Sequence, residues 1–135
     1  MCIFCEIIKG NISSYKIYED NEFLSFLDIS QATNGHVLVI PKKHFANIFE
    51  VDDDTLAKIS VLTKKIALQL CKNLNVKNCN ILNNYGPLAG QTVNHFHIHI
   101  IPRYNDSDVI IKFNNQNKTK DEMINIANTI KNNCQ

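Results

Sequence analysis

The sequence predicts an α+β fold, in which a long helix packs against a five-stranded antiparallel sheet and a second helix follows at the carboxyl end. Three observations predict it. Short β-prone runs fill much of the first 40 residues, one long helical pattern follows, and two further β-prone runs precede residue 104. With 135 residues, the chain is long enough for one hydrophobic core and too short for two. We therefore expect a single domain over residues 1–135.

The first three strands are predicted from β-prone runs that are separated by turn residues. Residues 15–18 and 23–28 flank a polar run of four residues, which is typical of a hairpin turn. The third strand, residues 36–40, follows an Asn-Gly pair and is closed by Pro41. These short connections favour antiparallel neighbours.

Two helices are predicted from apolar residues at helical spacing. The first extends from Asp52 to about residue 72, begins with three acidic residues and contains lysines later. Its apolar positions are Leu56, Ile59, Leu62, Ile66 and Leu70. The second, at about 119–132, is indicated by the capping-box pair Thr119 and Glu122. The polar residues 105–118, between the last strand and the second helix, are expected to form a loop.

The last two predicted strands are residues 80–84 and the histidine-rich residues 95–101. Because alternate residues of a strand point to the same face, three histidines would line one side while Phe96, Ile98 and Ile100 face an apolar core. Rigidly held imidazoles suit metal binding or nucleophilic chemistry. The histidine pattern alone leaves catalysis, metal binding and incidental surface histidines open.

Composition narrows the possible partners. A net charge of +1 gives no field to hold a nucleic acid backbone or an anionic membrane, so we expect a small-molecule substrate. No apolar run approaches the length of a membrane span, and no secretory signal pattern begins the chain, so we expect a cytoplasmic protein. Five irregularly spaced cysteines argue against a disulfide framework and leave metal binding or free thiols.

Residues 90–101, Gly-Gln-Thr-Val-Asn-His-Phe-His-Ile-His-Ile-Ile, resemble the signature of the histidine triad (HIT) superfamily of nucleotide hydrolases and transferases. The similarity extends over residues 2–5, 26–30 and 35–44, so about the first 104 residues look like the family core and the rest like an extension. The cysteines point to the zinc-containing, bacterial-type branch. The resemblance implies the HIT-like sheet and a homodimer that pairs through the long helix and the strand region before the histidines.

The resemblance also implies catalytic roles. The middle histidine of such proteins attacks the α-phosphorus of a nucleotide, and by position it would be His97. A neutral imidazole is a competent nucleophile, and the resulting phosphoramidate can be cleaved by water. Donors to the phosphate would come from His99 and from the backbone N–H groups of residues 90–92, and Thr92 would contact the leaving group. The full set of expected catalytic residues is His36, Gln91, Thr92, His97 and His99.

Nucleotide binding is expected from a second, overlapping set. Asp28 matches the ribose-binding aspartate of the family, and a carboxylate can accept hydrogen bonds from two vicinal hydroxyls. Asn84 would hold the phosphate loop. The complete expected set is Ile7, Phe26, Leu27, Asp28, Ile29, Asn84, Gly90, Gln91, Thr92, His97 and His99, with the four apolar side chains forming a slot for the base.

Cys2 and Cys5 form a Cys-x-x-Cys pair, which is half of a tetrahedral zinc site and is weak evidence alone. The resemblance supplies the other two ligands, His44 and His95. The alternative is a pair of buried or free thiols, since no thioredoxin-like context favours a redox role. A structural zinc on His95 would leave His97 free for chemistry, and no catalytic cofactor is expected.

We therefore expect a hydrolase that acts at the α-phosphate of nucleoside phosphoramidates or related AMP and GMP conjugates through a nucleotidyl-histidine intermediate. A dinucleoside polyphosphate hydrolase would use the same residues. A nucleotide-binding scaffold with vestigial activity is a rival of another class. A nucleotidyltransferase is disfavoured, because the transferase branch carries glutamine where this chain has His99. The expected partners are a purine nucleotide and a second copy of the chain.

Overall fold

A computed structural model describes residues 1–132 of the chain. Five strands, three α-helices and one short 3-10 helix occur among these residues. In chain order they are α1 (Ile3–Ile8), β1 (Lys16–Glu19), β2 (Phe23–Leu27), β3 (Val37–Pro41), α2 (Asp53–Leu74), β4 (Asn78–Leu82), the 3-10 helix (Pro87–Ala89), β5 (Ile98–Arg103) and α3 (Lys120–Lys131).

The five strands form one sheet in the order β1-β2-β3-β5-β4, and every neighbouring pair is antiparallel. The predicted fold class is therefore confirmed. Strand β5 lies between β3 and β4, so His99 is opposite Leu38 on one side and Leu82 on the other. This central position holds the histidine segment by backbone hydrogen bonds to both neighbours.

Each face of the sheet has its own apolar cluster, as the alternation of strand side chains requires. On the α2 face, β3 and β5 residues pack against Ile59, Leu62 and Ile66 of the long helix. On the α1 face, Phe4 and Ile7 of the short helix join a cluster whose other buried members are Leu24, Phe26, Leu38 and Ile40. The sheet is thus covered on both sides, which fixes the register of each strand.

Helix α2 is the predicted long helix, with well-defined ends. The Asp52 carboxylate accepts a hydrogen bond from the Thr55 N–H at 3.0 Å. Two further aspartates in the first turn stabilise the helix, because their negative charges lie at the positive end of its dipole. Asn75 ends the helix in the left-handed region, with φ of 54°. The helix therefore extends two residues beyond the predicted end near residue 72.

The histidine-rich segment departs from its prediction at its start. Strand β5 begins at Ile98, so His95 and His97 precede the ladder and only His99 lies within it. The Phe96 N–H donates to the Phe45 carbonyl at 2.6 Å, outside the β3–β5 ladder. Strand β4 likewise begins and ends two residues earlier than expected. Helix α1 was not predicted; it has six residues, too few for an apolar period to be visible.

The carboxyl-terminal helix is confirmed, and its predicted capping box is present between Thr119 and Glu122. Every residue of α3 is exposed, so it does not contribute to either apolar cluster. None of the helices among residues 1–132 is long and apolar enough to cross a membrane. The domain limits and the homodimer expected from the sequence stay predictions.

Candidate functional site

The three triad histidines lie together on the α1 face of the sheet. The ring of Phe4 packs edge-on against His95 and His97, with centroid distances of 5.9 and 5.2 Å, and the rings of His97 and His99 are 5.0 Å apart. Phe96, Ile98 and Ile100 belong to the cluster on the α2 face. The predicted alternation is therefore confirmed, although two of the histidines precede the strand.

His97 is buried and has one ring nitrogen committed to the backbone. Its Nδ1 lies 2.7 Å from the His95 carbonyl oxygen, which can only accept, so we assign the proton to Nδ1. The carbonyl of His97 accepts from the Asn83 side-chain amide at 3.0 Å, which holds the backbone in place. Burial lowers the pKa of His97, against smaller opposing effects of the His95 carbonyl and Asp28. The ring is therefore neutral near pH 7, with an unshared electron pair on Nε2.

His36, His99 and Asp28 form a second group beside His97. His36 Nε2 is 2.9 Å from His99 Nδ1, and the Asp28 carboxylate oxygen is 3.5 and 4.0 Å from these two nitrogens. The other Asp28 oxygen accepts from the Ser30 N–H at 2.8 Å. The Asp28 side chain keeps 19% of its exposure, so a ligand can reach it.

The geometry of this group also resembles a metal site of two histidines and one carboxylate. The backbone argues against that use. The Ala32 N–H donates to His36 Nδ1 at 3.2 Å, so the neutral ring carries its proton on Nε2 and has no electron pair there for a metal. We therefore describe Asp28, His36 and His99 as a hydrogen-bonded group.

The loop before the triad is held by its own hydrogen bonds. The Gly90 N–H donates to the Pro87 carbonyl at 3.1 Å, and the Gln91 N–H donates to the Gly86 carbonyl at 3.0 Å. These two N–H groups are therefore engaged, which corrects the expectation that both are available to a phosphate. Gly90 has φ of 95°, and a side chain there would approach the Asn84 amide nitrogen at 3.4 Å, so Asn84 does pack beneath this loop.

The Gln91 side chain is likewise a structural clamp. Its Oε1 accepts from the Gly86 N–H at 3.0 Å, and its Nε2 donates to the carbonyls of Ala46 and Val93 at 2.8 and 3.1 Å. The amide joins the triad loop to the segment after β3. Thr92, the next residue, is exposed.

The expected base slot is only partly assembled. Ile7 and Phe26 lie together in the α1-face cluster, and Ile29 is 92% exposed in the loop after β2. Leu27 packs against the cluster on the α2 face instead. Because Phe26 and Leu27 are adjacent in a strand, their side chains point to opposite faces, and the prediction that both line one slot is wrong.

Cys2, Cys5, His44 and His95 converge at the amino-terminal end of α1. His95 Nδ1 is 3.5 and 3.6 Å from the two sulfurs, and His44 Nδ1 is 3.1 Å from His95 Nδ1 and 3.4 Å from Cys5 Sγ. His95 Nε2 lies 2.8 Å from the Pro41 carbonyl oxygen, so the proton belongs on Nε2 and the electron pair of Nδ1 faces the sulfurs. The structure thus brings together the four residues expected to bind a metal.

Three residues that shape the site were missed from the sequence: Phe4, Asn83 and Gln31. Phe4 separates the metal-ligand group from His97 by packing on both His95 and His97. Asn83 and Gln31 act through side-chain hydrogen bonds to the backbone. Such bonds depend on which loops meet in the fold, so no spacing in the sequence indicates them.

Comparison with known proteins identifies the family. Residues 9–106 match the HIT domain, and the chain belongs to the HIT family. The adenosine 5'-monophosphoramidase of Schizosaccharomyces pombe is 45% identical over 105 residues, which cover 78% of this chain and 76% of that protein.

Solved structures of related proteins have the same fold and a similar sequence. A HIT family protein from Bacillus anthracis has a TM-score of 0.88 and 44% identity, covering 99% of this chain and 97% of that one. A zinc-bound histidine triad family protein from Mycobacterium smegmatis has a TM-score of 0.77 and 36% identity, covering 85% of this chain and 84% of that one. The family fold therefore extends over nearly the whole chain.

The protonation of His99 gives a direct test of this site. Burial, together with the nearby His97 and His36, lowers its pKa from 6.5 to about 4, against the opposing effect of Asp28. Because the folded ring resists protonation, its contribution to stability is fully present above pH 6.5 and is lost as the pH falls towards 4. An NMR titration of the folded protein should place the His99 midpoint near 4, with the urea-unfolded chain as the control near 6.5. A midpoint near 6.5 in the folded protein would contradict the described burial.

Proposed function

We propose that this protein hydrolyses nucleoside phosphoramidates or related AMP and GMP conjugates at the α-phosphate, through a nucleotidyl intermediate on His97. The observation that supports it most is the commitment of His97 Nδ1 to a backbone carbonyl at 2.7 Å, which leaves Nε2 as the nucleophile. The similarity to a yeast adenosine 5'-monophosphoramidase supports the substrate class.

In the first proposed step, the electron pair of His97 Nε2 attacks the α-phosphorus. A bond forms between Nε2 and phosphorus while the bond from phosphorus to the leaving nitrogen or oxygen breaks. The leaving group takes the bonding electrons and a proton from water, and Thr92 would hydrogen-bond to it. The ring becomes positively charged, and its Nδ1–H to the His95 carbonyl at 2.7 Å stabilises that charge.

In the second step, water attacks the same phosphorus from the side vacated by the leaving group. The bond between phosphorus and Nε2 breaks, its electrons return to the ring, and the water loses a proton. The products are a nucleoside monophosphate and the original neutral His97. Charge on the phosphate oxygens in both steps needs donors, and His99, with its ring 5.0 Å from that of His97, is placed to supply one.

Nucleotide binding is proposed around the same face. Asp28 would accept from the ribose hydroxyls, because its side chain remains accessible and an ionised carboxylate has acceptor capacity beyond its bond from the Ser30 N–H. Ile29 is exposed next to it and would contact the base, with Ile7 and Phe26 as the apolar floor.

Replacing His97 by alanine tests the mechanism. His97→Ala should lower kcat/KM for adenosine 5'-phosphoramidate by at least about 10³-fold, because it removes the nucleophile. AMP affinity measured by calorimetry should change less than about threefold, since binding also uses other groups. Diadenosine tetraphosphate serves as the comparison substrate for the rival hydrolase. Turnover that survives in His97→Ala would contradict the mechanism. If the wild-type protein turns over neither substrate, while it and His97→Ala bind AMP equally well, a nucleotide-binding protein would be favoured.

We also propose that Cys2, Cys5, His44 and His95 bind a structural zinc ion. Zinc bonds of about 2.0–2.1 Å to nitrogen and about 2.3 Å to sulfur separate tetrahedral ligands by roughly 3.3–3.8 Å. The distances from His95 Nδ1 to both sulfurs and to His44 Nδ1, and from His44 Nδ1 to Cys5 Sγ, are 3.1–3.6 Å, and all four ligand atoms lie within 4.8 Å of one another. The electron pair of His95 Nδ1 faces the group, so the residues fit. Bound zinc would supply no chemistry to the reaction; it would join α1 to the triad segment.

Metal analysis tests the zinc proposal. The purified protein should contain about one zinc per chain, and Cys5→Ser should reduce this below about 0.2 per chain while lowering the melting temperature. Cys71→Ser is the matched control, because Cys71 lies in α2 outside the ligand group and should leave the zinc content unchanged. Wild-type protein without zinc, or equal zinc in Cys5→Ser, would contradict the site.

A further inference from the structure

The loop between β2 and β3 carries one side chain that bonds to four backbone groups. Asp28 begins this loop and His36 ends it, and the loop closes with the Asp28 N–H donating to the His36 carbonyl at 3.0 Å. The Gln31 Nε2 donates to the carbonyls of Asp28 and His36, and its Oε1 accepts from the N–H groups of Gly35 and His36. A primary amide has two donors and two acceptor positions, so Gln31 uses its full capacity here.

The residue that follows Gln31 connects this clamp to the histidines. The Ala32 N–H donates to His36 Nδ1 at 3.2 Å, so the proton of neutral His36 lies on Nε2. That nitrogen is 2.9 Å from His99 Nδ1, which must then accept. The remaining proton of neutral His99 is therefore on its own Nε2. Burial lowers the pKa of both rings, which keeps them neutral near pH 7.

We infer that Gln31 is a positioning residue that determines which nitrogen of His99 carries the proton, so that His99 presents an Nε2–H to the phosphate of the substrate. The amide fixes the backbone on both sides of Ala32, and the Ala32 N–H then selects one tautomer of His36 and, through it, one tautomer of His99. This inference rests on the proposed function for its use, but the proton arrangement itself is independent of any substrate.

Hydrogen bonds that do not involve Gln31 also hold the loop between β2 and β3, so the loop does not depend on Gln31 alone to fold. The Thr33 hydroxyl donates to the Pro102 carbonyl, and the Tyr104 hydroxyl donates to the Asn34 carbonyl. Both bonds join the loop to the region of β5 without using Gln31. Gln31 is itself exposed, so a substitution there leaves no buried cavity. We therefore expect Gln31 variants to fold and to bind nucleotide.

The test is long-range 15N NMR of the histidine rings in the full-length protein. The wild-type protein should show His36 and His99 each protonated on Nε2. Gln31→Met, similar in length but without hydrogen-bonding groups, should give a mixture of tautomers for both rings. Gln31→Glu keeps only the acceptors and should have the same effect, because its carboxylate faces two carbonyl oxygens. Gln69→Met on α2 is the matched control, because the Gln69 side chain donates to Asn73 on its own helix and, among residues 1–132, to no group of the loop between β2 and β3.

Kinetics give the second readout. Gln31→Met should lower kcat for adenosine 5'-phosphoramidate roughly 10- to 100-fold while KM stays within about twofold, and Gln69→Met should match the wild type. Unchanged tautomers in Gln31→Met, or a wild-type His99 protonated on Nδ1, would overturn the inference. Altered tautomers with unchanged kcat would overturn their use in catalysis. If the wild type has no turnover, the proposed function fails, while the NMR comparison still decides the role of Gln31.

Discussion

A hydrogen bond to one nitrogen of each of these histidine rings decides what the other nitrogen of that ring can do. The Pro41 carbonyl accepts a hydrogen bond from His95 Nε2, and the His95 carbonyl accepts one from His97 Nδ1. The Ala32 N–H donates a hydrogen bond to His36 Nδ1. A neutral imidazole has one donor and one acceptor, so fixing either one defines the ring. An electron pair is thereby left on His95 Nδ1, which faces the sulfurs of Cys2 and Cys5, and another on His97 Nε2, while His99 Nδ1 accepts from His36.

The fold provides these backbone partners by placing β5 in the middle of the sheet. Its neighbours β3 and β4 fix the register at His99, and β3 ends at Pro41, whose carbonyl reaches His95. Helix α1 then covers the same face, where Phe4 packs against both His95 and His97. The two apolar clusters stabilise the sheet from both sides, so a histidine segment that is largely outside the ladder is still held rigidly.

Periodicity predicted much of this arrangement and failed where partners come from distant loops. Alternation correctly placed the triad histidines on one face, and helical spacing located α2 and α3 to within a few residues. The same alternation, applied to Phe26 and Leu27, would have shown that both cannot line one slot. The engaged N–H groups of Gly90 and Gln91 and the four bonds of Gln31 depend on loop conformations that no residue spacing encodes.

In the proposed reaction, His97 forms a covalent bond to the α-phosphorus through Nε2. This bond can be detected by mass spectrometry. The protein is mixed rapidly with adenosine 5'-phosphoramidate and is quenched during turnover without acid. We expect an added AMP mass on the peptide that contains His97, and fragmentation should place it on that residue. Steady product formation without an adduct at the shortest mixing times, or an adduct on another residue, would rule out a nucleotidyl-His97 intermediate.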